Sequence, residues 1–315
     1  MRALVAASKG EAAVVTEHGD PSAGADEVVL RADWSSVNYK DAMAAAGRPG
    51  ILRRLPMVPG IDVAGTADDG SKWVVTGAGL GERRDGGFAE RVAVQREVAV
   101  PVPARFGARR AAAIGTAGVT AALSVLAIER AGTPDGPVLV TGAGGGVGGF
   151  AIALLAATGR EVHASTGRGG ELGEHLRALG AAQVVDRREA DPGKPLQTPQ
   201  WAAVVDSVGG GPLVNAIAQT LPGGVVAACG LAASPELPGS VLPFILRGVT
   251  LTGVYSVDLP TDLRRAAWAL LVEHVPPETV DLLIEREVGL AEVPRVAQEV
   301  LAGRIRGRVL VAPQR

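Results

Sequence analysis

The residues with the clearest chemical purpose are Val138-Leu139-Val140-Thr141-Gly142-Ala143-Gly144-Gly145-Gly146-Val147-Gly148-Gly149, followed by the apolar run Phe150 to Ala157. They read as a strand, a tight glycine turn and the opening of a helix. Chemistry at such a turn is done by the backbone. Without side chains the chain can approach a pyrophosphate closely, and the helix start offers free N–H groups and a partial positive charge. Gly144, Gly145, Gly146 and Val147 are the expected contacts. A flexible loop is the plain alternative, and the strand-turn-helix setting argues against it.

The choice of dinucleotide is written about 20 residues further on, where an acid would hold the ribose hydroxyls of NAD. This chain has Ser165-Thr166-Gly167-Arg168 there. Hydroxyls and a guanidinium suit a 2′-phosphate that an acid would repel, so NADPH is the expected cofactor. Arg187, after the third strand, is either a second positive charge in the same pocket or a solvated surface arginine.

These groups need a frame. A chain of 315 residues favours two domains sharing a cleft. From Val138 the sequence alternates strand, turn and helix: strands at Val138–Val140, Glu161–Ala164, Gln183–Val185, Ala202–Val205 and Val225–Ala228, with helices reaching Thr158 and ending near Gly180. That alternation predicts a doubly wound parallel sheet of Rossmann type, an α/β fold. Before it lie short β-type runs, Val28–Leu30, Ile61–Ala64, Trp73–Val75 and Arg91–Val94, which suggest a small irregular barrel. Strand-like Val249–Val254, a helix over Leu263–His274 and a closing strand at Arg308–Val311 follow, the last returning to the first domain. The expected division is 1–112 with 260–315 for the substrate domain and 113–259 for the nucleotide domain.

Composition narrows the function. With 47% hydrophobic and 20% charged residues, a net charge of -2 and 3% aromatics, nothing favours nucleic acid or an anionic membrane surface. The single cysteine, Cys229, excludes an internal disulfide, and no Cys/His cluster is present to build a tetrahedral zinc site. Lys9 and Glu11 interrupt what would be a signal peptide's apolar region, so a cytoplasmic protein is expected. Two uncharged stretches, Ala111–Ile128 and Val138–Gly159, are long enough to span a bilayer. The first is weakly apolar and the second is broken by glycines, so both read as buried elements. The four histidines, His18, His163, His175 and His274, are scattered and form no hydrolytic triad.

Six blocks then occur in order: Trp34 to Asp41 (WSSVNYKD), Pro59 to Gly65 (PGIDVAG), Gly115 to Ala121 (GTAGVTA), the glycine turn, Ala228 to Ala232 (ACGLA) and Pro243 to Arg247 (PFILR). Together they resemble the acrylyl-CoA reductase branch of the zinc-free, quinone oxidoreductase-like medium-chain dehydrogenase/reductases. The resemblance spans nearly the whole chain. It implies a GroES-like substrate domain, NADPH, no metal, and reduction of a carbon-carbon double bond conjugated to a thioester carbonyl. Zinc-dependent relatives carry Gly-His-Glu where this chain has Gly60-Ile61-Asp62. Without a Lewis acid, developing enolate charge must be stabilised by hydrogen bonds.

By the same resemblance, Asn38 and Tyr39 lie beside the nicotinamide. Phenols are weak acids at neutral pH but good hydrogen-bond donors, which favours Tyr39 as an enolate-stabilising donor, with water able to supply the proton. On local sequence alone they are equally a turn asparagine and a packing tyrosine. Thr120 is a nicotinamide-end contact or a helix-packing residue. Leu231, Ile245 and Ser256 are cofactor contacts implied by the resemblance. Arg308 has two readings, a contact to cofactor or substrate phosphates and an ordinary strand-edge arginine. Lys40 and Asp41 have two readings, a local ion pair that fixes this segment and a bland solvated pair, the second favoured for Lys40 and neither of them catalytic; Asp62 is expected to be a structural acid. The loop Glu82 to Gly87 lacks the His-Trp pair associated with the family before its Gly-Gly, and the approach Asp68 to Trp73 is abbreviated, so the acyl group is left open.

The leading reading is hydride transfer to the β-carbon of a short 2-enoyl-CoA such as acrylyl-CoA. A quinone or general enone reductase is the alternative, and a non-catalytic NADPH-binding sensor or structural protein a third. A homodimer is expected, with Val249–Val254 as an edge strand pairing with its mate.

Overall fold

The Val- and Ala-rich runs of the second half are buried on both faces, as strands of a parallel sheet covered by helices must be. β11 (Trp201–Asp206) is buried along its whole length. The structure is a computed structural model describing residues 1–187 and 193–315. The chain forms two compact units, Met1–Val119 with Ser256–Ala266 and Leu283–Arg315, and Thr120–Tyr255 with Ala267–Leu282.

In the second unit the strands are β8 (Val138–Val140), β9 (Val162–Thr166), β10 (Gln183–Asp186), β11, β12 (Thr220–Ala228) and β13 (Thr250–Gly253). They form one parallel sheet in the order β10-β9-β8-β11-β12-β13. In order of appearance this is 3-2-1-4-5-6, the Rossmann arrangement, whose order reverses beside β8. Helices α3 (Gly146–Ala157), α4 (Gly169–Ala178), α5 (Gly210–Ala218) and α6 (Leu242–Arg247) lie in the connections. The glycine turn joins β8 to α3 and so sits at the reversal.

The first unit holds β1 (Arg2–Val5) and β2 (Val14–Glu17) as a two-stranded sheet. Its main sheet has seven strands. β3 (Glu27–Val37), β4 (Asp62–Ala67), β5 (Lys72–Thr76), β7 (Val100–Pro101), β14 (Ile284–Val288) and β15 (Arg308–Val311) run in the order β14-β15-β3-β4-β5-β7, and β6 (Arg91–Gln95) pairs with β3. Alternation drives β3 and β6: Val28, Leu30, Ala32, Val92 and Val94 turn inward. The closing strand β15 pairs Val309 with Val37, so the tail does return to this unit. Short α1 (Tyr39–Ala45) and α9 (Val293–Leu301) complete it, around a core of Leu4, Phe88, Val293 and Val296.

Helix α2 (Gly107–Ala131) is broken at Gly115, whose φ of 47° and ψ of -157° lie outside the helical range. A side chain there would run into the Asp62 carboxylate, and the positive φ is one that only glycine adopts freely, so position and backbone conformation both demand the glycine. Among the described residues α2 alone is long and apolar enough to cross a bilayer, and most of its apolar window is buried in the protein. The other uncharged stretch divides into β8, the turn and α3. Helix α7 (Thr261–His274) begins in the first unit and ends in the second, and α8 (Pro277–Leu283) falls almost wholly in the second. The segment 267–282, expected with the substrate domain, therefore packs with the nucleotide unit. It buries Trp268, Leu271, Val275 and Val280, a face that adjacency in sequence does not assign to either unit.

Candidate active site

In the second unit the turn is braced from below. Thr141 Oγ1 donates to Asp206 Oδ1 at 2.6 Å, and Asp206 Oδ2 accepts the N–H groups of Gly209 at 2.8 Å and Val208 at 3.2 Å. Burial pushes the Asp206 carboxyl above its ordinary range, against the pull of these hydrogen bonds. Gly145, the N-cap of α3, is extended and provides no side-chain cap, so the first-turn amides are open to an acceptor from outside. A Cβ on Gly144 would stand 2.6 Å from Leu172 Cδ1, and one on Gly148 2.7 Å from Ala143 Cα. The backbone can hold this turn only if Gly148 is bare, while a side chain at Gly144 would have to displace Leu172. On Gly145 the nearest atom would be 3.4 Å away, leaving room for a phosphate to approach.

Ser165 and Thr166 are buried at the end of β9, and Thr166 Oγ1 accepts the Arg168 N–H at 3.2 Å. Arg168 Nη2 lies 3.3 Å from where a Cβ on Gly144 would be, and Arg187 Nε 2.6 Å from the same point on Gly167. The structure thus gathers Gly144 to Val147, Ser165 to Arg168 and Arg187 at one end of the sheet. Among the described residues Glu171 stands 3.4 Å from Arg168, and Asp186 is opposite Thr166 in the ladder. Leu231 is exposed, its Cα 3.3 Å from a Cβ placed on Gly209, beside the segment that braces Thr141. Ile245 is exposed on α6 and Thr120 is buried. Ser256 lies in the first unit, against Gly77. Cys229 donates to the Asp206 carbonyl at 3.2 Å, and burial pushes its thiol up to about 12, so it is no nucleophile at neutral pH.

The first unit contributes a buried polar cluster around the N-terminus of α1. Asp41 accepts the Asn38 backbone N–H at 2.9 Å, the Asn38 Nδ2 at 3.0 Å and the Ile61 N–H at 2.8 Å. Asp62 accepts Asn38 Nδ2 at 2.7 Å, Ser36 Oγ at 2.9 Å, and both the N–H and Oγ1 of Thr116 at 2.8 and 2.6 Å. The break at Gly115 is what frees the Thr116 amide for this bond. Two carboxyls face one guanidinium here. Burial, and then the neighbouring Asp62, push Asp41 up to about 7.

Arg308 requires a correction. Expected among the phosphate contacts, it is 3% exposed, and its donors go to Ala113 O (2.8 Å), Val37 O (3.3 Å), Asn38 Oδ1 (2.9 Å), Ser36 Oγ (2.5 Å) and Asp62 Oδ2 (3.3 Å). Its guanidinium is the counterion of the cluster. Asn38 is likewise not free to meet a ring, because both its amide hydrogens and its oxygen are engaged inside the cluster. It holds the start of α1, and Tyr39 is the group it presents. Tyr39 is 39% exposed, and its hydroxyl has no partner among the described residues. Lys40 pairs with Glu82, not with Asp41, which turns inward as the N3 residue of a capping box. Sequence reasoning passed over Ser36, Thr116 and Asp206; the one available signal was a Ser-Ser pair closing an otherwise apolar strand.

A zinc ion does not fit. Among the described residues no three His, Cys, Asp or Glu side chains converge as a ligand set. The acid in the relevant segment, Asp62, already has both oxygens occupied by N–H and O–H donors.

Comparison with known proteins agrees with this frame. The family model for zinc-binding dehydrogenases matches residues 146–273. Acrylyl-CoA reductase AcuI of Ruegeria pomeroyi is 42% identical over 297 residues, covering 90% of this chain and 89% of that protein. The yhdH oxidoreductase of Salmonella enterica, solved in complex with NADP, has a TM-score of 0.93 at 42% identity and covers 99% of both chains. Bacillus subtilis yhfP, solved with NAD bound, has a TM-score of 0.92 at 38% identity over 99% of this chain and 98% of that one.

Proposed function

The chain belongs to the zinc-binding dehydrogenase family of medium-chain dehydrogenase/reductases, and from that premise we propose that it is an NADPH-dependent, metal-free reductase of short 2-enoyl-CoA thioesters such as acrylyl-CoA. The observation that carries the cofactor choice is the pairing of an uncapped helix start with Arg168 and Arg187 around Thr166-Gly167. Bound NADPH supplies a hydride to the β-carbon, and a proton at the α-carbon completes the saturated thioester.

The protein's own work is binding and polarisation. The amides of Gly146 and Val147 hold the pyrophosphate, which bare Gly144 and Gly145 allow to approach, and Arg168, Arg187, Ser165 and Thr166 hold the 2′-phosphate. Leu231, Ile245, Ser256 and Thr120 remain proposed as apolar or small contacts to the cofactor. Tyr39 donates a hydrogen bond to the thioester oxygen as enolate charge develops there. Asn38, Asp41, Asp62 and Arg308 fix Tyr39 from beneath and touch no reacting atom. Water delivers the α-proton.

We place the enzyme in the cytoplasm as a homodimer. The outer edge of β13 is unpaired among the described residues, and Leu242 and Leu246 of the preceding α6 are exposed, which supports strand pairing with a second copy. The test of function is NADPH oxidation by purified protein with acrylyl-CoA, crotonyl-CoA and a simple quinone. Acrylyl-CoA turnover is expected to survive a chelator. Turnover of the quinone alone would move the chain to the quinone reductase reading, and NADPH binding without turnover on the panel to a sensor.

A further inference from the structure

A cavity of about 560 Å³ opens in the first unit between the loop at Ala78–Arg84, the turn at Gln95–Val98 and the segment Asp258–Arg264 that begins α7. Its size is that of a small-molecule site. Arg83, Arg84 and Arg264 stand in its wall against Asp258 and Glu97. Arg83 pairs with Asp258, and Arg84 with Glu27 at 2.9 Å. Arg264 differs from both. It is 2% exposed, and one nitrogen, Nη1, donates to Thr76 O at 2.8 Å and Thr76 Oγ1 at 3.1 Å. Its Nε and Nη2 have no hydrogen-bond partner among the described residues.

A buried guanidinium with unmet donors is costly, and acceptor oxygens from outside would remove that cost. Thr261, the first residue of α7, lines the same cavity, so the helix start adds a partial positive charge. Two independent features thus favour an anion. The loop that carries Arg83 also carries Glu82, which pairs with Lys40 next to Tyr39.

We propose that this cavity is a phosphate subsite for the CoA portion of the substrate, with Arg264 and Arg83 as its ligands. The assignment of the phosphate to CoA rests on the enoyl-CoA reading above. The cofactor's own phosphates have their partners in the second unit.

The experiment is calorimetric titration of the NADPH-saturated protein with coenzyme A, dephospho-CoA, pantetheine and inorganic phosphate. Coenzyme A should bind at least about tenfold more tightly than pantetheine, the expected worth of one charge-assisted contact. Arg264→Gln and the half-exposed Arg83→Ala should each weaken coenzyme A by roughly tenfold to a hundredfold while leaving pantetheine and NADPH affinities unchanged. Arg83→Ala keeps the test decisive if the buried substitution fails to fold. Dephospho-CoA binding like pantetheine identifies the 3′-phosphate as the occupant, and binding like coenzyme A identifies the diphosphate. Equal affinity for coenzyme A and pantetheine, unchanged affinity in Arg83→Ala, or inorganic phosphate binding that coenzyme A does not displace would overturn the proposal. Turnover is scored separately. A protein that binds coenzyme A through these arginines yet reduces quinones alone refutes the enoyl-CoA reading and keeps the subsite; one that reduces acrylyl-CoA and its N-acetylcysteamine analogue with equal KM does the reverse.

Discussion

Replacing Asp62 by Asn tests whether the buried cluster under α1 is an electrostatic unit. The side chain is wholly buried and accepts hydrogen bonds from Ser36, Asn38 and Thr116, with Arg308 at 3.3 Å. An asparagine that keeps its oxygen toward Thr116 must turn its NH2 toward Asn38 Nδ2 and Arg308, placing donor against donor at two points. Ser36 adapts, because a hydroxyl can rotate to accept. The guanidinium, itself 3% exposed, is left without its closest counterion. Removing one member of a buried ion pair costs about 3–5 kcal/mol, most of it the penalty on the charge left behind. Asp62→Asn should therefore lower first-unit stability by about that amount. Adding Arg308→Met should recover part of the loss, with a coupling energy on the order of 0.5–3 kcal/mol. The assay is urea unfolding followed by two probes, because two units need not unfold as one transition. A loss below about 1 kcal/mol, or strict additivity of the two substitutions, would refute the reasoning.

Three further outcomes follow from the same geometry. Arg168→Ala should raise the KM for NADPH by roughly tenfold to a hundredfold and leave that for NADH nearly unchanged, by steady-state kinetics, since the substitution removes the charge-assisted hydrogen bond proposed to the 2′-phosphate. Asp41 keeps its proton to about pH 7 in the folded protein but releases it near 3.8 when unfolded. The folded state thus binds more protons in that window, so this contribution to stability falls as pH rises from about 4 to 7 and levels off above; denaturation midpoints at several pH values should show the slope, and an equal slope in Asp41→Asn would refute the assignment. Leu246→Glu on the exposed face of α6 should convert the proposed dimer to a monomer in light scattering, with the far-UV spectrum unchanged.

How much of this was legible depended on what each element packs against. The nucleotide unit announced itself because parallel strands covered on both faces read as continuous apolar runs: β8 was bounded to the residue, while α3 begins at Gly146, inside the glycine run and ahead of the apolar run from Phe150. The first unit was read thinly. β3 was visible as Val28–Leu30, yet it extends to Val37, because the buried residues Ser35 and Ser36 break the apolar pattern that reveals a strand. Those serines are buried to serve Asp62 and Arg308, partners that are far off in sequence. β2, exposed throughout, has no pattern to find. The break in α2 escaped notice for a similar reason, since Gly115 is required by a carboxylate more than 50 residues away. Lys40 and Asp41 looked like a pair, but adjacent residues on a helix point apart, and each found a partner elsewhere.

The same cluster accounts for how a chain whose family is named for a metal would work without one on the proposed reading. Where zinc-dependent relatives carry a histidine, this chain has Ile61, and the next residue's carboxylate has its lone pairs filled by donors from three elements. A carboxylate so saturated offers nothing to a cation, but it makes a rigid anchor. Through Asn38 that anchor fixes the first residue of α1, Tyr39, which is 39% exposed and whose hydroxyl is unpartnered among the described residues. Polarising a carbonyl with a neutral donor is weaker than with a Lewis acid. It suffices best where the negative charge is delocalised, as in the enolate of a conjugate reduction. The replacement of ligands by a hydrogen-bonded cluster therefore favours conjugated thioesters over simple aldehydes and ketones.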